Sequence, residues 1–274
     1  MFKKFNIKNK VVIVTGAAGL LAEQHIEVVL ENNAVGILID IDSRKLITKK
    51  KYYLKKYKNS KIDIFSGDIT DEKFISRVSK AIIKKYRRID VLINNAAVDY
   101  KPDVAHKKKI YNTSLENFDL SLWNNDLSVG LTGALICTKF FGNLMAKKKS
   151  GIILNIASDL SIIAPDNRIY NNKPNNLKFV KPISYSVVKH GIVGLTKYTS
   201  VYWANKNIRC NALAPGGIET DQPKKFKKRL SNLIPLGRMA NKGEYKSSIL
   251  FLISAASSYM NGAVMVVDGG RTVL

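Results

Sequence analysis

Residues 11–22 read VVIVTGAAGLLA. The opening VVIVT (11–15) is apolar throughout, as in a strand buried on both faces. It runs without a break into a turn carrying Gly16 and Gly19, and a helix-like stretch follows near 20–31. A glycine turn between strand and helix lets the backbone approach a pyrophosphate, whose charge the helix N-terminus favours. The turn ends on Ala22, a small residue suited to close packing of helix on strand. Alone, such a turn is weak evidence. A second apolar strand, VGILID at 35–40, ends on Asp40, about two dozen residues further on. An acid at that place is set to bind the adenosine ribose hydroxyls of a dinucleotide. Its carboxylate repels a 2′-phosphate, and no Arg or Lys lies within the glycine turn. The pattern therefore predicts NAD, with NADP as the lesser alternative that Arg44 and Lys45 keep open.

The same rhythm continues along the chain. Further strands are predicted at 62–66, 89–94, 151–158, 208–213 and 263–267. Helices are predicted near 43–57, 71–86, 119–148, 183–204 and 241–254. Apolar strands separated by helices give an α/β fold: one doubly wound domain over residues 1–274, its seven-stranded, mostly parallel sheet covered by helices on both faces. Two segments break the pattern, 98–118 and the Asn- and Pro-rich 165–182. Both follow strands and so emerge at the carboxyl edge of the sheet, where ligands bind. The second reads as an inserted active-site loop that shapes the substrate pocket.

Composition excludes several classes. Cys137 and Cys210 lie far apart in apolar surroundings and read as buried thiols of a reducing compartment. His25, His106 and His190 lack metal-ligand spacing, so no metal is expected. The N-terminal lysines before 11–22 resemble a secretion signal, but no small-residue cleavage site follows and Glu23 soon interrupts. No stretch reads as a membrane span, and the expectation is a soluble, cytoplasmic protein. The formal charge is +24, spread over lysine runs at 49–51, 107–109, 147–149 and 224–228. Without an RNA-binding aromatic motif, a zinc finger or a basic heptad helix, these read as solvated faces rather than a specific nucleic-acid surface.

Residues 184–195, SYSVVKHGIVGL, place Tyr185 four residues before Lys189, on one helical face. Such pairs arise often by chance. In company with TGAAG (15–19), Asp68 in GDIT, NNAA (94–97), NIAS (155–158), NALAPGG (211–217) and VDGG (267–270), the pair takes on meaning. The chain resembles the short-chain dehydrogenase/reductase family over nearly its whole length. TGxxGLL, the APD…IY insertion, PLGRMA (235–240) and SSYMNG (257–262) resemble a branch associated with surface-polysaccharide and flagellin-modification sugar metabolism.

The resemblance implies a single Rossmann-fold domain. It makes Tyr185 the general acid/base, with Lys189 holding the nicotinamide ribose and depressing the tyrosine pKa, and Ser158 stabilising charge on the substrate oxygen. It also implies cofactor contacts from Thr15, Gly16, Gly19, Leu20, Leu21, Asp40, Asp68, Ile69, Asn95, Ala96 and Ala97. Tyr185, Lys189, Pro215, Gly216, Ile218 and Thr220 complete that set, and Asn94 opens the turn beside the cofactor. Two departures stand out. Family members commonly carry a relay asparagine where Gly130 stands here, a glycine that can also reflect a local helix distortion. The 165–182 insertion lengthens the separation of Ser158 from Tyr185.

The expected activity is NAD-dependent interconversion of a secondary alcohol and a ketone, on a phosphorylated or nucleotide-linked sugar. The segment KKFKKR (224–229) is either an anion clamp for that substrate or a solvated helix. The alternatives are an NADPH-using 3-oxoacyl-carrier-protein reductase and an NAD-binding sensor or scaffold with weakened catalysis. The resemblance also implies a homodimer or homotetramer built on the helices near 119–148 and 183–204.

Overall fold

In the computed structural model, residues 2–98, 112–170 and 180–274 are described. Seven strands form one sheet: β1 Val11–Thr15, β2 Val35–Asp40, β3 Lys61–Ser66, β4 Val91–Asn94, β5 Gly151–Ile156, β6 Ile208–Pro215 and β7 Val264–Val267. Their order is β3-β2-β1-β4-β5-β6-β7, and every neighbouring pair is parallel. The sheet is thus wholly rather than mostly parallel, because each strand is followed by a crossover that returns the chain to the same edge. The winding reverses between β1 and β4, which pair through Val12 and Val91. A crevice opens beyond their carboxyl ends, the expected ligand position in such sheets.

Helix α1 (Ala22–Glu31) covers one face with the helix Lys246–Leu252. Val12, Val14, Ile26, Leu38 and Ile249 belong to the core on that side. Ile13, Ile37, Leu92 and Ile153 point to the other face, where helix α3 (Glu72–Tyr86) and the long helix Leu120–Lys147 bury Ile75, Ile82, Ile136 and Phe141. Alternate residues of each strand therefore serve opposite cores. Helix α2 (Ser43–Lys56) is capped by Asp42, whose carboxylate accepts from Lys45 N, and α3 by Asp71. A basic helix, Lys224–Ser231, carries the lysines of the 224–229 segment. Cys137 and Cys210 are free and buried, and burial pushes the Cys210 thiol up to about 12.

The long helix corrects one expectation and meets another. By length and apolarity it would pass as a membrane span, contrary to the sequence reading. Its apolar residues instead serve the sheet core, with over half of that window buried. It also contains two π-helical stretches, Ser128–Thr132 and Thr138–Gly142. Gly130 lies in the first, where a Cβ would run into Val188 Cγ1 of the helix Ile183–Tyr202. The glycine therefore marks a helix distortion and also lets two helices approach closely. Of the two irregular segments, 99–111 and 171–179 lie outside the described residues, with His106 and the lysines at 107–109.

Candidate active site

The floor of the site begins where β1 meets its glycine turn. Gly16 has φ +62° and packs so closely on the segment after β4 that a Cβ would lie 2.6 Å from Ala96 Cα. A side chain there is excluded by both conformation and space. Thr15, buried at 1% exposure, receives hydrogen bonds at its hydroxyl from Asn95 N (3.1 Å) and Ala96 N (3.2 Å). Asn95 in return donates through Nδ2 to the carbonyls of Thr15 and Gly16, both at 3.1 Å. The two strand ends are stitched together at the crevice. Helix α1 then starts at Leu21 without a side-chain cap, and Gly19, Leu20 and Leu21 line the cavity. Uncapped N–H groups at a helix start suit an anionic phosphate. Asp40 accepts from Ala18 N and Asp42 N, each at 2.9 Å, which fixes its carboxylate on the same wall. These features fit a dinucleotide.

Under this turn sits a residue the sequence reading did not assign to the site. His25 is fully buried, and its Nε2 lies 3.1 Å from Asn95 Oδ1. Because Asn95 Oδ1 is an acceptor, Nε2 carries the proton of the neutral ring. Burial pushes the imidazole down from 6.5 to about 4. The unfolded chain therefore takes up this proton near pH 6.5, while the folded protein resists until about pH 4. Acidification through that window favours unfolding. Stability is expected to fall by about 3 kcal/mol from this residue and to level off below. Urea midpoints at neutral and acid pH should show this slope in the wild type and a flatter one in His25→Gln.

Beyond β5, Ser158 is 5% exposed and donates to Asp159 Oδ1 at 2.8 Å, while its Oγ accepts from Leu160 N at 3.1 Å. Asp159 Oδ2 accepts from Arg271 Nη1 at 2.6 Å in an ion pair that is itself buried. Arg271 reaches this position because Asp268 accepts from Gly270 N and Thr272 N, with Gly269 and Gly270 at positive φ. The terminal VDGG motif thus delivers an arginine to the serine. Neither Asp159 nor Arg271 was singled out in the sequence. Both were legible only as neighbours of motifs, since chain positions 112 residues apart meet here.

Tyr185 and Lys189 enter from the helix Ile183–Tyr202. Lys189 is buried, and its Nζ donates to Ile156 O at 2.8 Å, the last residue of β5. Its ammonium lies 5.7 Å from the Tyr185 ring centroid, and that of Lys181 lies 3.7 Å away. Two cations therefore flank the Tyr185 ring. All these groups face one cavity of about 670 Å³. Its charged lining residues are Asp40, Lys45, Asp159, Lys181, Lys189 and Arg271, four cations against two carboxylates. The roof is apolar: Ile169 and Tyr170 from the insertion meet Phe226, Leu230 and Met239. Tyr170 and Phe226 rings lie 5.5 Å apart.

The predicted residues Gly16, Gly19, Leu20, Leu21, Asp40, Asn95, Ala97, Ser158, Tyr185, Lys189, Pro215, Gly216 and Ile218 come together on this cavity. Thr15 and Ala96 stand behind its wall as structural ties. Asp68 holds its own turn through Thr70 N at 2.8 Å, and Ile69 is buried beside Gly133; neither lines the cavity. Thr220 is also off the wall, and Gln222, which accepts from Thr220 N and donates to Ile218 O, takes its place. Asn94 is buried and donates to Thr138 and Asn155, so it braces the strand ends from inside. Of the basic helix, Phe226 and Leu230 face the cavity, while Lys224, Lys225, Lys227 and Lys228 do not line it and Lys227 pairs with Glu219. Lys224, Lys225 and Lys228 are exposed and Lys227 is half-buried. Among the described residues, no cluster of His, Cys, Asp or Glu could hold a metal.

Comparison with known proteins agrees with this geometry. The family model described as enoyl-(acyl carrier protein) reductase matches residues 13–272. A 3-oxoacyl-[acyl-carrier-protein] reductase of Thermotoga maritima is 30% identical over 273 residues, covering 97% of this chain and 99% of that protein. An NAD-dependent glycerol dehydrogenase of Listeria innocua is 30% identical over 276 residues, covering 99% and 97%. A short-chain dehydrogenase of Leptospira borgpetersenii, solved with bound NAD+, is 28% identical with a TM-score of 0.83 over 98% of this chain and 95% of that one. Matched end to end by whole proteins of one kind, the chain belongs to the short-chain dehydrogenase/reductase family and is an NAD(P)-dependent oxidoreductase.

Proposed function

We propose that the protein interconverts a secondary alcohol and a ketone on a small polyol or sugar bearing a negative charge, with NAD as the preferred cofactor. The convergence of Ser158, Tyr185 and Lys189 on one cavity with the glycine turn carries this reading. The bound nicotinamide supplies the hydride chemistry. The chain's own residues handle the proton and the substrate. Tyr185, as phenolate between Lys181 and Lys189, accepts the alcohol proton, or returns it to the oxyanion in reduction. Ser158 hydrogen-bonds the substrate oxygen once its single hydroxyl proton turns from Asp159 Oδ1 to that oxygen. Gly16, Gly19, Leu20, Leu21 and Asp40 would hold the pyrophosphate and adenosine ribose.

The charge and roof of the cavity support the substrate class. The excess of cations on its wall favours an anionic ligand, and Lys181 is the candidate for meeting it. A glycerol dehydrogenase among the relatives supports a polyol or sugar, and the branch resemblance supports a phosphorylated or nucleotide-linked one. Exposed Leu135, Tyr198, Val201 and Tyr202 on the two long helices support assembly as a homodimer or homotetramer. Free buried thiols and a dinucleotide cofactor support a cytoplasmic location.

A thermal-shift screen of sugar phosphates, nucleotide sugars and polyols in the presence of NAD tests the substrate class. At least one anionic member is expected to stabilise the ternary complex and to turn over. The 3-oxoacyl-carrier-protein reductase reading, favoured by the Thermotoga relative, predicts NADPH preference instead. Asp40→Ala separates the two cofactors. It is expected to weaken NAD binding about tenfold or more while improving NADP relative to NAD. An unchanged ratio would remove Asp40 from cofactor selection.

A further inference from the structure

A second, much smaller chamber of about 10 Å³ lies against the Tyr–Lys pair, walled by Asp126, Gly130, Tyr185, Val188 and Lys189 among others. That volume suits one water molecule, given polar partners. Asp126 stands one helical turn before Gly130 on the long helix and is 5% exposed. Its Oδ2 accepts from the hydroxyl of Ser184, which is buried at the start of the catalytic helix. A side chain at 130 is barred by Val188, so the long helix reaches this chamber from position 126 instead. Among the described residues lining the chamber, Asp126 carries the one negative charge and Lys189 the one positive charge. Burying that ammonium costs less with a carboxylate in the same enclosure.

We propose that Asp126 is the positioning and proton-exchanging partner of the Tyr185–Lys189 pair. The inference rests on Tyr185 being the acid–base group. In alcohol oxidation the substrate O–H proton bonds to the Tyr185 phenolate oxygen. The new phenol O–H then breaks toward a water in the chamber, and that water gives one proton to Asp126. Phenolate is restored and the carboxylate becomes a carboxylic acid; ketone reduction runs the same transfers backwards. The electron pair of the hydride goes to the nicotinamide. The charged groups facing Tyr185 are Lys189 on its own helix, Lys181 ahead of that helix and Asp126 from the long helix, with the Asp159–Arg271 pair lining the same cavity.

The test is a carbon-13 NMR titration of the intact protein labelled at tyrosine Cζ, with Tyr185 assigned by the resonance missing in Tyr185→Phe. Asp126→Asn keeps an acceptor for Ser184 but removes the charge. It is expected to lower the pH at which Tyr185 ionises by about one unit, because a nearby carboxylate disfavours phenolate. The wild-type Tyr185 resonance is also expected to show an acid-side step as Asp126 takes its proton, absent in Asp126→Asn and retained in Asp126→Glu. If Asp126→Asn fails to fold, the wild-type acid-side step decides alone. An Asp126→Asn titration that superimposes on the wild type, or a wild-type curve without the acid-side step, overturns the proposal. Undiminished turnover by Tyr185→Phe is a separate result that removes the acid–base reading beneath it.

Discussion

Tyr185→Phe is expected to lower kcat about 10²–10⁴-fold while leaving the affinity for NAD within a few-fold of wild type. The ring and its contacts with the Lys181 and Lys189 ammonium groups survive the change; only the hydroxyl that moves the proton is lost. A structural residue at this place would behave differently, with lowered thermal stability and weaker cofactor binding together. Steady-state kinetics on whichever alcohol the screen returns, paired with fluorescence titration of NADH, separates the outcomes. Loss of NADH binding in step with turnover would mean that Tyr185 mainly shapes the cofactor site.

Arg271→Met should be the most damaging single change to stability. It strands Asp159, a carboxylate nearly sealed from solvent and paired with the guanidinium at 2.6 Å. Breaking a buried pair on one side typically costs about 3–5 kcal/mol, because the remaining charge is left uncompensated. Changing both partners, Asp159→Asn with Arg271→Met, should recover most of that loss, since no isolated charge remains. Turnover should return with stability in the double variant, because the amide oxygen at position 159 still accepts from the Ser158 hydroxyl. Urea unfolding of the two singles and the double, read with kcat, checks both parts. Equal destabilisation of the single and double variants would show that packing, not charge, holds this corner.

Much of this was open to reading in the chain itself. The strands at 11–15 and 35–40 lie where VVIVT and VGILID put them, since strands buried on both faces must be apolar throughout. Gly16 and Asp40 were legible because a close backbone approach and a strand-end carboxylate leave a mark at fixed spacing. The strand predicted over 151–158 stops at Ile156, because Ser158 turns the chain into the Asp159–Ser161 helical turn. The Asp159–Arg271 pair and the Asp126 chamber were not legible, because each needs residues from separate elements to meet in space. Asp68 and Ile69 carried a motif resemblance without a place on the main cavity. The apolarity of Leu120–Lys147 misled in the other direction, since a core helix and a membrane helix have the same composition.

The roof of the cavity is a joint between two distant parts of the chain, Ile169 and Tyr170 clasping Phe226 and Leu230. Ser158, Tyr185 and Lys189, by contrast, are anchored by β5 and its neighbouring helix. The reacting centre is therefore mounted on the sheet and the helix beside it, while the clasp is built from segments outside both. Exchanging the clasp is expected to alter which molecule is admitted, with Ser158, Tyr185 and Lys189 left in place. In such an architecture, substrate choice and chemical competence can diverge independently, and a change of diet requires no change of engine.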